Sequence, residues 1–178
     1  MGYRHTKQEI LDGALAVAID DGLSQLTFGR VAKRLGINDR TVVYYFPTKE
    51  ALITDVVMSM GLQLQETLAE AFSSPAADHL ELARAAWPVL ARDDTDRIFA
   101  LFFEANGLAA TGRAPFDTIV PLLVEAWIAW VMLFLTGPES ERRAQAGATI
   151  ALLDGLLLLR QLAGPAAAAG AAERLGVT

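Results

Sequence analysis

The chain has no cysteine, which removes disulfides and thiolate metal sites from consideration and suits a reducing cytoplasm. Long apolar runs are also missing. The longest stretch without a charged residue, Ala126 to Pro138, is thirteen residues, whereas a membrane-spanning helix needs roughly 20; no span is expected. The opening MGYRHTKQEI has no apolar h-region, so no secretory signal is expected either. Histidine is scarce: His5 and His79 lie far apart, and no E-x-x-H, G-x-G-x-x-G, P-loop or G-x-S-x-G motif occurs. No catalytic residue, metal site or cofactor is therefore assigned, and the chain is not expected to be an enzyme. A catalytic site assembled only by tertiary contact would leave no motif, so a helical-bundle enzyme, or a small-molecule-binding protein without DNA binding, stays open as the alternative. Alternating strand patterns and internal repeats are absent as well.

What is present is apolar and helical. Hydrophobic residues make up 53% of the 178 positions, enough for one compact unit or for a small head on a larger body. The net charge of −6 is unevenly spread: residues 1–50 carry seven Lys/Arg against six Asp/Glu, and residues 51–178 carry eight against fifteen. Phosphate binding depends on the field within about a Debye length rather than on the total charge. Arg30, Lys33, Arg34 and Arg40 supply most of the head's positive charge within one short stretch.

Thr6 to Glu9 form an S/T-x-x-E capping box, followed by Ile10, Ala14, Val17 and Ala18 at helical spacing, and Asp20-Asp21-Gly22 ends that helix. Thr27 can cap a second helix through Leu35, and Gly36 supplies the left-handed residue of a tight turn. Asn38 can cap a short third helix from Asp39 to Phe46, stopped by Pro47. Thr48 opens a long fourth helix with Leu52, Ile53, Val56, Val57, Met60, Leu64 and Leu68 on its apolar side, broken at Ser73-Ser74-Pro75. Further helices are expected at about 77–92, 94–110, 115–136 and 139–163, jointed at Gly112, Gly137-Pro138 and Gly164-Pro165. The tail from Pro165 suits a short final helix or a frayed end. The fold class is all-α, with a small helical head over 1–47 and a larger helical body over 48–178.

Thr27 to Glu50 reads as a helix-turn-helix. Two closely crossing helices need a small residue at the crossing, a turn residue that tolerates positive φ, and an apolar side on the second helix. Ala32, Gly36 and Val42 meet those needs. The other side of the third helix then carries Asn38, Asp39, Arg40, Thr41 and Tyr44, all able to hydrogen-bond to base edges or phosphates. Lys49 adds charge at a helix start that already favours an anion. Arg30 belongs to the same basic group. Solvated charges on an ordinary helical hairpin are the competing account of these residues.

From Thr6 to about Val57 the chain resembles the N-terminal domain of the TetR/AcrR family of transcriptional regulators. The resemblance is carried by the capped first helix with its DDG end, by LTFGRVAKRLGI, and by YYFPTKEALI leading into a long helix. It implies a dimeric, all-helical repressor whose variable C-terminal domain binds a small effector. It also implies that Thr27 and Lys49 touch phosphates, that Asn38 to Thr41 and Tyr44 lie on the recognition helix, and that Tyr45 takes the usual aromatic or His place before Phe46. Two positions depart from the family pattern. Val43 stands where a phosphate-contacting Tyr is common, and Arg40 stands in place of a usually small residue, next to Asp39. Arg40 either reads a guanine with Asp39 beside it, or the two form a local arrangement facing phosphate.

The body holds Trp87, Phe99, Phe102, Phe103, Phe116, Trp127, Trp130 and Phe134. Aromatics at helical spacing are usually core, yet this density suits an apolar cavity between helices. Trp87, Phe99, Phe102, Phe103, Asn106, Glu125, Trp127 and Trp130 are the candidate effector-binding residues. Glu104 and Glu125 have apolar helical neighbours, so each needs a partner or a raised pKa. Either they pair internally with Arg97, Arg113 or Arg160, or one of them, with Asn106, orients an effector. Ala144 to Leu162 is apolar on more than one side, as a buried helix of a large core or one half of a homodimer interface is; the interface is the preferred reading, and Asp154 would then need a hydrogen-bond partner. The expected partners are thus an operator in double-stranded DNA, an apolar or aromatic small molecule, and a second copy of the chain.

Overall fold

The computed structural model describes residues 5–72 and 74–178. Arg4, which entered the charge count, and Ser73, part of the expected break after the fourth helix, lie outside the described residues. The elements are α1 (Lys7–Asp21), α2 (Phe28–Leu35), α3 (Asp39–Tyr45), α4 (Lys49–Ala69), α5 (His79–Leu90), α6 (Asp96–Ala110), α7 (Phe116–Val131), α8 (Glu139–Ala163) and α9 (Pro165–Arg174). Short 3-10 turns at Leu23–Gln25 and Met132–Phe134 complete them. The chain divides into two compact units, one of Met1–Leu62 with Leu101–Val120, the other of Gln63–Ala100 with Pro121–Thr178.

The first unit contains α1 to α3, most of α4, and parts of α6 and α7. The expected capping box forms: the Glu9 amide donates to Thr6 Oγ1 at 3.2 Å, and the Thr6 amide donates back to Glu9 Oε2 at 2.7 Å. That second bond holds the Glu9 carboxyl below its ordinary value. Ile10, Ala14 and Ala18 of α1, Leu23, Leu26, Val31, Val42, Leu52 and Val56 are completely buried. Each large side chain among them is worth ~2 kcal/mol of burial. One packing determinant had no signal in the hydrophobic pattern. A Cβ on Gly13 would lie 2.8 Å from Leu35 Cδ2, so the Leu35 side chain of α2 rests directly on the glycine of α1. Lys7 ties the start of α1 to α4 through Asp55 at 2.7 Å, with its ammonium 5.2 Å from the centre of the Phe46 ring.

The second unit is built around α8, which packs on α5 and α9. The buried Arg160 of α8 donates from Nε to Asp96 Oδ1 at 2.6 Å and from Nη2 to Asp93 Oδ1 at 2.6 Å. Gln161 adds a bond from Nε2 to the Asp96 carbonyl at 2.8 Å, so two successive residues of α8 hold the first residue of α6. Among the described residues one parallel bridge, Ala76 to Leu135, links the segment after α4 to the 3-10 turn after α7. The tail is a helix. Its last turn closes on Gly176 at φ 70°, with Val177 N–H donating to Ala172 O and Gly176 N–H to Glu173 O, and Arg84 Nε caps the Gly176 carbonyl at 2.7 Å. By length and composition Phe116–Phe134 and Glu139–Ala163 could each cross a membrane, although neither is an uncharged run. α8 buries Arg160 against Asp93 and Asp96 and packs on α5 and α9 with one side, leaving much of its length exposed.

Candidate nucleic-acid interface

α2 begins at Thr27, whose hydroxyl accepts from the Arg30 amide at 3.3 Å, and ends at Gly36 with φ 66°. There the Ile37 amide donates to Ala32 O at 3.0 Å and the Gly36 amide to Lys33 O at 3.4 Å. This pair of bonds closes the helix in the Schellman manner and turns the chain at once into α3. Nothing lies within 4 Å of a Cβ built on Gly36, so the requirement for glycine is its backbone conformation and not space. Asn38 then caps α3, its Oδ1 accepting from the Arg40 amide at 2.9 Å. Val31 and Ala32 of α2 and Val42 of α3 are buried at the crossing, and Phe46 closes the far end of α3.

Burial of Val42 and Phe46 fixes which side of α3 looks outward. Positions 40 and 41 each stand one turn from 44, so the three share that side. Arg40 and Asp39 are exposed, Thr41 is half-buried, and Tyr44 is 76% exposed. Among the described residues neither Asp39 nor Arg40 forms an ion pair, so their charges are not consumed by the fold. Val43 is 40% exposed beside them. His5, Ile37, Asn38, Arg40, Thr41, Tyr44 and Tyr45 line an open recess on this face. Tyr45 is a strut: its hydroxyl donates to the His5 carbonyl at 2.8 Å, and Tyr44 packs edge-on against its ring with centroids 5.0 Å apart. Lys49 is exposed at the first turn of α4.

The basic cluster read from the sequence is divided by the fold. Arg30 Nη1 pairs with Asp21 Oδ2 at 2.6 Å, and Arg34 Nη1 with Asp20 Oδ2 at 2.5 Å. The DDG end of α1 is therefore also a counterion for two of the four cations. Asp20 and Asp21 fall nine to fourteen residues before their partners, a spacing that no single-helix periodicity reports.

The candidate effector residues are distributed between the units. Trp87, Phe99, Glu125, Trp127 and Trp130 belong to the second, and Phe102, Phe103 and Asn106 to the first. Trp127, Trp130 and Phe134 stack in sequence, with centroids 5.3 and 4.8 Å apart, and Phe72 joins Trp130 and Phe134 at 5.6 and 4.9 Å. Phe102 and Phe103 meet edge to face at 5.4 Å. Asn106 Oδ1 is buried with no hydrogen-bond partner. The two carboxylates behave differently from the arginine pairings expected. Glu125 is exposed and pairs with Arg143 at 2.6 Å. Glu104 accepts from Leu23 and Ser24, 81 and 80 residues earlier in the chain. Neither pairs with Arg160, whose partners are Asp93 and Asp96.

An all-helical chain with a capped α2, a left-handed glycine turn and an α3 whose polar side is left to solvent defines a helix-turn-helix DNA-binding protein. Residues 10–56 match the family described as bacterial regulatory proteins, tetR family. No curated protein matches the chain in sequence. Among solved structures, a transcriptional regulator from Rhodococcus sp. Rha1 is 20% identical with a TM-score of 0.75, covering 97% of this chain and 94% of that one. A TetR transcriptional regulator from Legionella pneumophila is 19% identical with a TM-score of 0.68, over 98% and 97%. The multidrug binding protein EbrR, complexed with imidazole, is 27% identical with a TM-score of 0.68, over 98% and 93%. Residues 10–56 thus carry the N-terminal domain of the tetR family of bacterial regulatory proteins, and solved transcriptional regulators share the fold along nearly the whole chain.

Proposed function

We propose that the protein acts as a homodimer on a near-palindromic operator, as a repressor released by a small apolar or aromatic effector. The observation that carries the DNA-binding part is the outward side of α3. Val42 and Phe46 are buried behind it, while Asp39, Arg40 and Tyr44 are exposed and Asp39 and Arg40 are without ion pairs. The N-terminal residues of a recognition helix are those that reach base edges. Asn38 to Thr41 and Tyr44 are thus the base-reading set, with Thr27 and Lys49 on phosphates. Arg30 joins them on release from Asp21. Residues 1–47 form the reading head in this account and 48–178 the responding body, working in the cytoplasm.

A symmetric dimer is supported by two exposed stripes. Along α7 and the turn after it, Leu122, Ala126, Ala129 and Leu133 recur at steps of four and three, and all are exposed. Along α8, Ala144, Ala148, Ala151, Gly155, Leu158 and Leu162 recur at the same steps and are exposed or half-buried. That spacing is the apolar seam of packed helices. Its small residues on α8 allow close approach, and the Glu125–Arg143 pair lies beside it as a rim contact.

An aromatic effector is supported by the ring clusters of the body and by EbrR, which is solved with proflavin at 26% identity over 95% of this chain. Trp87, Phe99, Trp127 and Trp130 of the second unit are the residues assigned to the effector in this account. Such a ligand acts by binding one orientation of α4 better than another and so changing the spacing of the two heads. Selection from a randomised duplex pool with the full-length protein, followed by footprinting, tests the whole reading. Two protected patches one helical turn apart, about 34–36 Å, are expected, with affinity falling steeply in salt and falling again on adding proflavin. Sequence-independent binding would overturn it.

A further inference from the structure

The strongest contact between distant parts of the chain within the first unit is made by Glu104 of α6. α1 stops at Gly22, whose φ of 91° swings the chain into the 3-10 turn Leu23–Gln25. The first amides of that turn have no acceptor within it. Glu104 supplies both: Oε2 accepts from Leu23 N–H at 2.8 Å, and Oε1 accepts from Ser24 N–H at 2.9 Å and from Ser24 Oγ at 2.6 Å. A Cβ on Gly22 would come within 3.2 Å of Glu104 Oε2, so the turn leaves room for the carboxylate as well as for the backbone conformation. Leu23 and Leu26 on either side are completely buried. The segment from Gly22 to Thr27 is the only covalent link between α1 and α2. Whatever holds it sets the angle at which α2, and through the Gly36 turn α3, leaves α1.

We propose that Glu104 is a positioning residue for operator binding, fixing the α1–α2 turn from α6 so that the reading side of α3 is presented at one defined angle. This deepens the DNA-binding reading above and rests on it.

The sign of the effect separates positioning from electrostatics. Removing a carboxylate makes the protein less negative, so charge alone predicts that Glu104→Ala binds DNA more tightly. Loss of positioning predicts weaker binding to the selected operator, on the order of tenfold, because charged acceptor bonds to two backbone amides are lost. Binding to unrelated duplex and the salt slope should be unchanged or slightly stronger. The measurements use full-length protein well below the melting temperature of each variant, with the duplex that the wild type selects from a random pool. Glu104→Gln, which keeps one acceptor oxygen, should fall between wild type and Glu104→Ala. Ser24→Ala, which folds with both amide bonds in place, should weaken operator binding only slightly. Hydrogen exchange at Leu23 and Ser24 should accelerate in Glu104→Ala. Wild-type operator affinity in Glu104→Ala, or exchange at Leu23 and Ser24 that does not change, overturns the positioning role while leaving the DNA-binding reading intact. Failure of the wild type to select any sequence would instead overturn that reading, and the proposal with it.

Discussion

Asp154 offers a pH test whose sign follows from burial alone. It lies on α8 and accepts no hydrogen bond among the described residues; loss of water pushes its carboxyl from 3.8 up to about 7. Below pH 3.8 the folded and unfolded states are both protonated there. Between that value and pH 7 the folded protein keeps a proton that the unfolded chain has released, so stability falls as pH rises. Above about 7 both states are ionised and the folded state bears the full cost of the buried charge. Between pH 5 and pH 7 that cost grows by roughly 2 kcal/mol or less, since Asp154 is half-buried and water reaches part of it. Glu9 and Asp78, whose carboxyls are held below their ordinary values by helix-capping amides, act with the opposite sign and only as pH falls through their own lower range. Urea denaturation at fixed protein concentration across pH 5 to 8 should show this slope in the wild type. Asp154→Asn should lose it and be more stable than wild type at pH 8. An equal slope in both proteins would show that Asp154 is ionised throughout and refute the argument from burial.

Neutralising the acidic end of α1, Asp20→Asn with Asp21→Asn, releases Arg34 and Arg30 from their exposed ion pairs. Affinity for non-specific duplex should rise, and the slope of log K against log salt should steepen by up to about 2 in a filter-binding or anisotropy titration. Stability should change little, since exposed pairs contribute ~1 kcal/mol or less. Gly36→Ala meets no steric obstacle but forces a side chain into φ 66°, so denaturant melts should show a loss of about 1 kcal/mol. Leu158→Glu places a charge on an exposed position of α8; sedimentation should show a dimer converted to a folded monomer with unchanged far-ultraviolet circular dichroism.

The helices were legible in the sequence because their signals are local. Thr6 with Glu9, Thr27, Asn38 and Thr48 each cap the helix that follows them. The apolar side expected for α4, from Leu52 to Leu68, is buried in full. The helix-turn-helix frame of Ala32, Gly36 and Val42 follows the same logic, since a small crossing residue and a left-handed turn are demanded within ten residues of each other. Boundaries in the body drifted by a few residues: α5, expected from about 77, starts at His79 behind the Asp78 cap. α7 passes into a 3-10 turn at Met132 without a break in its apolar pattern.

What local signals cannot carry is the pairing of charges. Glu104 and Glu125 looked alike in the chain, each flanked by apolar neighbours. One grips backbone amides about 80 residues away and the other sits on the surface beside Arg143. Arg30 and Arg34 looked like a basic patch until α1 returned Asp20 and Asp21 to them. Helix periodicity is a property of neighbours along the chain, so the amino-acid sequence by itself determined the helices, the tight turn and the family of the head. Salt bridges, the close approach at Gly13 and the Glu104 clamp depend on which surfaces meet after the chain folds back on itself, and only the tertiary structure decided those.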